Sequence, residues 1–412
     1  MNDYNSSKKT DKPALIPRLR FPEFQNSGEW EVEEVGNIFE VTRGYVLPMN
    51  LVSDEQSESN PFPVYSSQTK NNGLAGYYKD FLYEDAITWT TDGANAGDVN
   101  FRKGKFYCTN VCGVLINKNG YSNHCVAAII NSVAKKYVSY VGNPKLMNGV
   151  MSKIKIPLPS LPEQQKIASC LSSLDEVIAG ERQKLELLKA HKKGLLQNLF
   201  PREGETVPKF RFPEFKDSGE WVEKRLGEIG EPLMCKRIFK SETTPSPING
   251  VPFYKIGTFG GIADSYISKE MFEEYKSKYS YPNIGDILIS ASGTIGRLVI
   301  YDGSPAYFQD SNIIWLGHNE DVVLNPFLFY CYSNLRWQTS DGGVISRLYN
   351  SDFKRMKIKF PEVKAEQQKI ASCLSSLDDV IQAQEQKIEL LEQHKKGLLQ
   401  GLFPNVNDGD NG

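Results

Sequence analysis

Residues 163–201 read EQQKIASCLSSLDEVIAGERQKLELLKAHKKGLLQNLFP, and residues 366–404 repeat them as EQQKIASCLSSLDDVIQAQEQKIELLEQHKKGLLQGLFP. Thirty of the 39 positions are identical. A shorter block is also repeated, as RFPEFQNSGEW at residues 20–30 and as RFPEFKDSGEW at residues 211–221. The sequence therefore predicts a chain with approximate internal two-fold symmetry.

Both long repeats carry the pattern of a coiled-coil helix. Apolar residues recur at alternating spacings of four and three, which is a heptad seam sustained over about five heptads. Pro162 lies in the predicted first turn, and Phe200-Pro201 and Phe403-Pro404 mark the helix ends. Such a stripe can also pack one helix on its own domain, but two matching stripes favour pairing of the two helices. The predicted seam residues are Ile167, Leu171, Leu174, Ile178, Leu185, Leu188, Leu195, Leu199, Ile370, Leu374, Leu377, Ile381, Ile388, Leu391, Leu398 and Leu402.

The connection between the repeats predicts the direction of pairing. Only about six residues separate Pro201 from the start of the next repeated block near Pro208. The second variable domain therefore starts where the first helix ends, and it finishes where the second helix begins. We expect an antiparallel helix pair that acts as a spacer, each helix being roughly 57 Å long at about 38 residues.

The order of segments predicts an α+β fold with an internal pseudo-two-fold repeat. Two homologous β-rich mixed domains are separated by the two long helices, which form an antiparallel coiled coil. The predicted segments are a polar tail at 1–16, the first variable domain at 17–160, the first helix at 161–201, the second variable domain at 202–364, the second helix at 365–404 and a polar tail at 405–412.

The two variable domains are expected to be diverged copies of one module. Residues 84–115 and 285–316 both show strand, glycine turn, strand, turn, strand. Aligning them needs one extra residue in the first turn of the first copy. The matched glycines are Gly93, Gly97 and Gly104 in one copy and Gly293, Gly296 and Gly303 in the other. In this alignment Cys108 corresponds to Gln309, and Thr109 and Asn110 correspond to Asp310 and Ser311.

Polar side chains cluster at the turns of both domains, and a further polar stretch covers residues 66–72. Directional donors and acceptors on β-turns suit the reading of base edges in DNA, whose two-fold symmetry matches the repeat. Ordinary turn chemistry explains each residue singly, and the polar stretch could equally be a solvated loop. The candidate DNA-binding residues are Gln68, Lys70, Asn71, Thr91, Asp92, Asn95, Thr109, Asn110, Ser292, Thr294, Arg297, Gln309, Asp310 and Ser311. Arg297, beside a glycine turn, is the best single candidate for a base or phosphate contact.

Composition places few limits on the function. The 412 residues carry a net charge of −2, which argues mildly against DNA binding unless partner subunits supply phosphate contacts. The seven scattered cysteines fit reduced thiols better than a disulfide framework. The polar first residues are unlike a signal peptide, and no apolar run reaches membrane-spanning length. We therefore expect a cytoplasmic protein with no membrane partner.

The sequence offers no catalytic constellation. It contains neither a GxxxxGK[ST] phosphate loop nor the Asn-Pro-Pro-Tyr or Asp-Pro-Pro-Tyr segment of aminomethyltransferases. Glu362 and Lys364 could mimic half of a nuclease metal site, but the first copy lacks an equivalent. Four residues could in principle bind zinc, although their spacing is unusual and buried strand cysteines are the better interpretation: Cys108, Cys112, His124 and Cys125. We expect no catalytic residue and no metal ligand.

Two variable domains, each followed by a long repeated helix, resemble the specificity subunit of type I restriction–modification enzymes. The motifs that carry the resemblance are RFPEF…GEW, LPEQQKI, HKKGLLQNLFP and SGTIG, and it covers residues 17–404. The resemblance implies that each variable domain is a target recognition domain that reads one half of a bipartite DNA site. It also implies that the helices set the spacing of the half-sites and dock methyltransferase subunits.

The resemblance further implies partners that carry the chemistry. These would be two modification subunits that use S-adenosylmethionine and two restriction subunits that use ATP and Mg²⁺, whereas this chain binds no cofactor and is not an enzyme. The second helix departs from the family pattern because Val363-Lys364-Ala365-Glu366 lacks the proline of the first. A coiled-coil scaffold that binds only protein, or a stand-alone DNA methyltransferase or nuclease, is the alternative.

Overall fold

The computed structural model describes residues 15–67, 71–337 and 347–404. The chain divides into two compact units. Unit 1 is formed by Met1–Gln183 and Gln386–Gly412, and unit 2 by Lys184–Glu385. Each unit therefore contains the first part of one long helix and the last part of the other.

Unit 1 is built on a six-stranded sheet. The strands of unit 1 are β1 (Glu31–Glu34), β2 (Glu40–Arg43), β3 (Phe62–Tyr65), β4 (Leu74–Tyr78), β5 (Tyr83–Thr90), β6 (Val99–Cys108), β7 (Cys112–Ile116) and β8 (Lys155–Leu158). Its helices are α1 (Val35–Ile38), α2 (His124–Ala134), α3 (Asn148–Met151) and the first part of α4 (Leu161–Leu199). The sheet order is β2-β7-β5-β6-β3-β4, with β3 and β6 parallel, and β1 pairs with β8. Asn123 caps α2 by accepting a 3.0 Å hydrogen bond from the Val126 amide.

Unit 2 repeats this plan with a divided sheet. Its strands are β9 (Val222–Arg225), β10 (Glu231–Leu233), β11 (Gly250–Tyr254), β12 (Tyr266–Ser268), β13 (Ile287–Ser290), β14 (Leu298–Ile300), β15 (Tyr307–Phe308), β16 (Ile313–Gly317) and β17 (Lys357–Phe360). Its helices are α5 (Leu226–Ile229), α6 (Lys269–Lys278), α7 (Asn325–Asn334), α8 (Asn350–Arg355) and the first part of α9 (Lys364–Leu402). The sheet orders are β10-β16-β13-β14, β12-β11-β15 and β17-β9, and the parallel pair β11–β15 corresponds to β3–β6. The predicted α+β class with two homologous β-rich domains is confirmed.

The core of each unit joins its β-rich domain to both long helices. In unit 1, α2 residues such as Ile130 pack with Ile167 of α4 and Leu402 of α9. In unit 2, Phe327 of α7 packs in the same cluster as Leu199. The ends of the predicted seam therefore belong to domain cores. All sixteen predicted seam positions are buried or half-buried.

The repeated short blocks are fixed to the repeated helix starts. In unit 1, Arg20 donates two hydrogen bonds of 2.7 and 2.8 Å to Glu163, and the two side chains are only 6% and 1% exposed. Arg211 and Glu366 form the same arrangement in unit 2, with two hydrogen bonds of 2.7 Å. The ion pair raises the pKa of Arg20 further above its usual range. Paired buried charges of this kind explain why RFPEF and EQQKI recur together.

Each short block also contacts the end of the helix from the other repeat. Trp30 packs edge-on against Phe403 at a centroid distance of 6.4 Å. The Leu19 amide donates a 2.8 Å hydrogen bond to the Gly401 carbonyl. In unit 2, Trp221 packs on Phe200 in the same way, at 5.7 Å. The first residues of each domain thereby complete the last turn of the helix from the other repeat, which is far away in the sequence in unit 1 but directly precedes the domain in unit 2.

The long helices pair antiparallel within each unit. In unit 1, Asp175 near the start of α4 accepts a hydrogen bond from Lys395 near the end of α9. In unit 2, Lys192 near the end of α4 donates to Asp378 near the start of α9. The predicted antiparallel coiled coil is thus confirmed. Within the described ranges, no helix is long and apolar enough to cross a membrane.

Candidate nucleic-acid interface

Three polar segments of unit 1 are joined by hydrogen bonds at one place. The Thr91 amide, after β5, donates to the Val111 carbonyl at 3.0 Å. The Thr109 amide, after β6, donates to the Tyr65 carbonyl at 2.9 Å, and its hydroxyl lies 2.9 Å from the Ser66 hydroxyl after β3. The turns that the sequence singled out as separate clusters therefore form one polar surface.

The predicted residues of unit 1 differ in their exposure. Thr91 and Thr109 are buried, and the Thr91 hydroxyl donates to Asp92 at 2.7 Å, so both threonines hold the turns. Asp92, Asn95 and Asn110 are half-buried at the surface. Lys145 lies 3.5 Å from the Asp92 carboxylate. These three residues therefore retain polar atoms that can reach a ligand.

Three further predicted residues lie in the segment after Ser67. Gln68 and Lys70 fall outside the described residues. Asn71 begins a short 3-10 helix, Asn71–Gly73. Gly73 lies in the left-handed region with φ of +86°, and a Cβ there would meet the Ser66 carbonyl oxygen at 2.8 Å. This close approach requires glycine and fixes where the polar segment rejoins the sheet.

A buried arginine underlies this surface, and the sequence did not reveal it. Arg102 of β6 is 8% exposed, and its guanidinium lies 3.8 Å from the centre of the Tyr65 ring. Its Nε donates to the Thr88 hydroxyl at 3.0 Å and its Nη2 to the Asn72 carbonyl at 2.7 Å. Burial lowers the pKa of Arg102. Among the residues that the structure describes, no carboxylate pairs with this charge.

The surroundings of Arg102 connect it to the candidate surface. It lines a polar cavity of about 150 Å³ together with Ser66, Gly73 and Asp98. A buried cation that lacks a paired carboxylate needs its hydrogen bonds, because an uncompensated buried charge is costly. The hydrogen bond from Arg102 to the Asn72 carbonyl therefore couples the position of the polar segment to this charge. The available sequence signal was an arginine inside a strand, between Phe101 and Lys103, but strand alternation alone does not separate it from a solvent-facing residue.

Unit 2 builds the same framework from different side chains. The Ala291 amide donates to the Asn312 carbonyl at 2.7 Å, as Thr91 does to Val111. Ser292 is buried and donates to the Asn312 side chain at 2.8 Å. The backbone of Asp92 forms an antiparallel β-bridge with Lys145 in unit 1, and the backbone of Ser292 forms one with Arg347 in unit 2. Equivalent backbone positions thus present different donors and acceptors.

The remaining candidates of unit 2 fall into two groups. Gln309 accepts a 3.0 Å hydrogen bond from the Ile256 amide, and Asp310 accepts one of 2.8 Å from Arg237, so both are engaged within the unit. Ser311 adopts a positive φ of 59° at the turn. Thr294 and Arg297 are exposed on the glycine turn. Arg297 Nη1 donates to the Phe259 carbonyl at 2.7 Å, which holds the guanidinium beside the turn.

The alignment of the two copies is wrong by one residue after the second turn. The parallel pairs set Tyr65 against Cys108 and Tyr254 against Phe308, so Cys108 corresponds to Phe308 rather than to Gln309. Thr109 accordingly corresponds to Gln309, not to Asp310, and Asn110 corresponds to Asp310, not to Ser311. The cause is one extra residue in the turn between β15 and β16 of unit 2, because Thr90 pairs with Cys112 whereas Ser290 pairs with Ile313.

Each unit also presents exposed apolar side chains beside the polar turns. Tyr45 is 62% exposed in the loop after β2, and its amide donates to the Cys108 carbonyl at 3.1 Å. Phe239 is 61% exposed in the equivalent loop after β10, two residues from Arg237. Exposed rings next to polar groups are suited to apolar contacts with base edges, such as the thymine methyl group. Sequence analysis missed them because both loops lack a recognisable motif.

Three of the four possible zinc ligands, the cysteines, are part of apolar clusters. Cys108, Cys112 and Cys125 are buried, and burial raises the pKa of Cys112 to about 11. His124 is half-buried, its ring lies edge-on to Phe101, and burial lowers its pKa. Across the described residues, no group of three or more His, Cys, Asp or Glu side chains could hold a metal ion.

Known proteins share this organisation. The family described as type I restriction modification DNA specificity domain matches the chain twice, at residues 27–190 and 218–393. A protein of Haemophilus influenzae named as a type I restriction enzyme specificity subunit is 33% identical over 377 residues, which cover 89% of this chain and 92% of that protein.

Two solved structures have a similar fold. The S subunit of a type I restriction-modification system from M. genitalium matches with a TM-score of 0.63 and 17% identity, over 95% of this chain and all of that chain. A chain from a structure of type I R-M complex assembly matches with a TM-score of 0.54 and 16% identity, over 91% of this chain and 98% of that chain. At these identities the likeness shows the fold alone.

Proposed function

The chain belongs to the type I restriction–modification DNA specificity family, and from this membership we propose that it reads one half of a bipartite DNA site with each of its two units. The carrying observation is the pair of equivalent polar surfaces. They share backbone hydrogen bonds, whereas Asp92 and Lys145 in unit 1 are replaced by Ser292 and Arg347 in unit 2. Two readers of different half-sites require a common frame with different donors and acceptors.

The long helices would set the distance between the half-sites. Each of α4 and α9 is an unbroken helix of 39 residues. Antiparallel pairing within both units gives each reader the same relation to its helices. Half-sites roughly one helical turn of DNA apart would then meet readers that face the duplex in the same sense.

The outer faces of the helices would dock the methyltransferase subunits. Val177 and Leu390 are exposed on the helices of unit 1, and Leu187 and Val380 are exposed at the equivalent places of unit 2, with exposures from 48% to 65%. Exposed apolar residues that recur in both copies support an interface with two like partners. Two restriction subunits would join the same assembly.

Catalysis would belong to these partners. The modification subunits would use S-adenosylmethionine, and the restriction subunits ATP and Mg²⁺, while this chain would bind no cofactor. The absence of a phosphate loop or an aminomethyltransferase segment in the sequence supports this division.

A residue exchange between the copies tests the reading function. Asp92→Ser gives unit 1 the residue of unit 2, and Ser292→Asp does the reverse. Each variant, produced together with the modification subunits in a host without other methyltransferases, is analysed by methylome sequencing. We expect each substitution to change the methylated bases of one half-site and leave the other half and the gap unchanged. An identical methylome in both variants, or a change in both halves together, would contradict separate reading.

A further inference from the structure

Two of the nine positions at which the long repeats differ reverse a charge. Equivalent positions lie 203 residues apart, as Glu163 and Glu366 do. Arg182 of α4 corresponds to Glu385 of α9, and Lys189 of α4 corresponds to Glu392 of α9. The remaining differences change size or polarity, or remove a single charge.

These four residues bond to one another across the helix pair. In unit 1, Arg182 Nη2 lies 2.5 Å from Glu392 Oε1. In unit 2, Lys189 Nζ lies 2.8 Å from Glu385 Oε1. The two ion pairs occupy equivalent places in the two units. In both, α4 supplies the cation and α9 supplies the carboxylate.

This distribution makes unlike helices attract and like helices repel. In two copies of α4 paired in the same antiparallel register, Arg182 would face Lys189 twice. In two copies of α9, Glu385 would face Glu392 twice. Like charges at facing positions are unfavourable by about as much as opposite charges are favourable. Only the α4–α9 combination has opposite charges at both places.

Other inter-helix charges modify this preference without removing it. Glu181 bonds to Lys387 in unit 1, and in an α4–α4 pair it would face Lys184, so that pair would regain two attractions. An α9–α9 pair would have no such offset, because Gln384 replaces Glu181. The α4–α9 pair therefore has three attractions at variable positions and no repulsion. The Asp175–Lys395 and Lys192–Asp378 pairs are the same in every combination.

We propose that α4 and α9 recognise each other by charge and reject a second copy of themselves. The surface that selects is formed by Arg182 and Lys189 on α4, and the surface that it fits is formed by Glu385 and Glu392 on α9. Its effect is to favour pairing of the N-terminal half of the chain (residues 1–204), which carries α4, with the C-terminal half (residues 205–412), which carries α9. Pairing of two identical halves is opposed. This inference concerns pairing of the halves and does not depend on DNA reading.

Charge reversal of one ion pair separates attraction from selection. Lys189→Glu with Glu385→Lys preserves the attraction between α4 and α9, but it places opposite charges at the two facing positions of each helix, so like helices also attract. Adding Arg182→Glu with Glu392→Arg restores one sign of charge to each helix. The chain with one reversed ion pair should therefore lose the preference for α4–α9 pairing over pairing of like helices, and the chain with both ion pairs reversed should regain it.

The test uses the full chain with a protease site inserted after Gly204, which is exposed. Each folded chain is cut, unfolded in urea and diluted into buffer, and native mass spectrometry counts pairs of unlike and like halves. We expect the ratio of unlike to like pairs to fall on the order of tenfold in the singly reversed chain and to recover in the doubly reversed chain. Packing differences, such as Gly401 against Leu19, are the same in all chains and cancel. An equal ratio in all chains would overturn the proposal.

The uncut chain provides a second measurement that does not require the halves to refold. Lys189→Glu, Glu385→Lys and the two together form a double-mutant cycle for stability in urea. Each single substitution should lower the transition midpoint, and the double substitution should restore it. Absence of coupling between the two positions would also overturn charge recognition at this place.

Discussion

Units 1 and 2 share a frame of buried contacts and differ in the side chains that this frame places at the turns. The buried pair Arg20–Glu163 is repeated as Arg211–Glu366 with nearly identical distances. In the candidate interface, by contrast, the place of Arg102 in unit 1 is taken by Tyr301, whose hydroxyl donates a hydrogen bond to the Ser304 carbonyl. The frame is therefore constrained by the fold in both copies, whereas the turns are free to differ, as the proposed pair of independent readers requires.

The shared frame should fail when its buried ion pair is cut. Arg20→Ala and Arg211→Ala each leave a buried carboxylate, Glu163 or Glu366, without its counterion. We expect each to lower the free energy of unfolding by about 3–5 kcal/mol. Urea denaturation followed by circular dichroism measures the loss, with the exposed Arg18→Ala as control, expected within about 0.5 kcal/mol of the parent. A loss no greater than that of the control would show that the pair does not hold the frame.

Substitutions at the helix ends should affect the stability of the two units differently. A Cβ at Gly401 would meet Leu19 Cγ at 2.7 Å, whereas the equivalent Asn198 is accommodated in unit 2. We expect Gly401→Asn to cost roughly 1–3 kcal/mol of stability through overpacking. Asn198→Gly should cost only about 0.3 kcal/mol through helix propensity, the difference between asparagine and glycine. Thermal unfolding of the two variants tests the order, and equal costs would contradict it.

The reading surfaces should respond to the buried arginine in one half-site only. Arg102→Met keeps most of the buried volume but removes the bond to the Asn72 carbonyl. We expect the DNA affinity of the assembled complex to fall roughly 10- to 150-fold if the full contribution of this hydrogen bond to a charged group, about 1.5–3 kcal/mol, is lost at the surface. Methylome sequencing should show relaxed specificity in a single half. Lys103→Met, on the exposed neighbour, is the control, and relaxation of both half-sites would contradict a local role.

The helix surfaces should be affected least in the free chain. Leu187→Ser and Leu390→Ser remove exposed apolar side chains, so stability should change by less than about 0.5 kcal/mol. Assembly with the modification subunit should nevertheless weaken, as measured by analytical ultracentrifugation. Glu186→Ser is the matched control on α4. Unchanged assembly in both leucine variants would remove these faces from the proposed interface.

Much of the fold could be predicted because the deciding signals are local and duplicated. Heptad spacing set the helices, and the short connection after Pro201 set their antiparallel direction. The buried pair Arg20–Glu163 was not predicted, because its members are 143 residues apart and neither motif indicates the other. The second helix lacks the proline of the first, yet α9 begins at Lys364, because the buried Glu366 and Gln367 fix its first turn.

The arrangement of the candidate interface could be predicted only in part, for physical reasons that particular residues show. Thr91 and Thr109 lie in turns of the candidate interface but are buried within them. Arg102 contributes through contacts with Tyr65 and Asn72, which lie on other strands or loops and leave no spacing signal. The match of Thr109 to Asp310 failed because one residue inserted in a turn shifts the register without changing the strand pattern.

The hydrogen bond from the Leu19 amide to the Gly401 carbonyl implies that the two units are completed in a fixed order during synthesis. Unit 2 is one continuous segment, whereas unit 1 needs residues 386–404 to close the core around Trp30. At about 5–20 residues per second, the ribosome releases that segment roughly 10–40 s after the first domain has emerged. The domain translated first is therefore the one completed last, because the apolar side chains of unit 1 that pack on α9 lack this contact until the end of α9 has been synthesised.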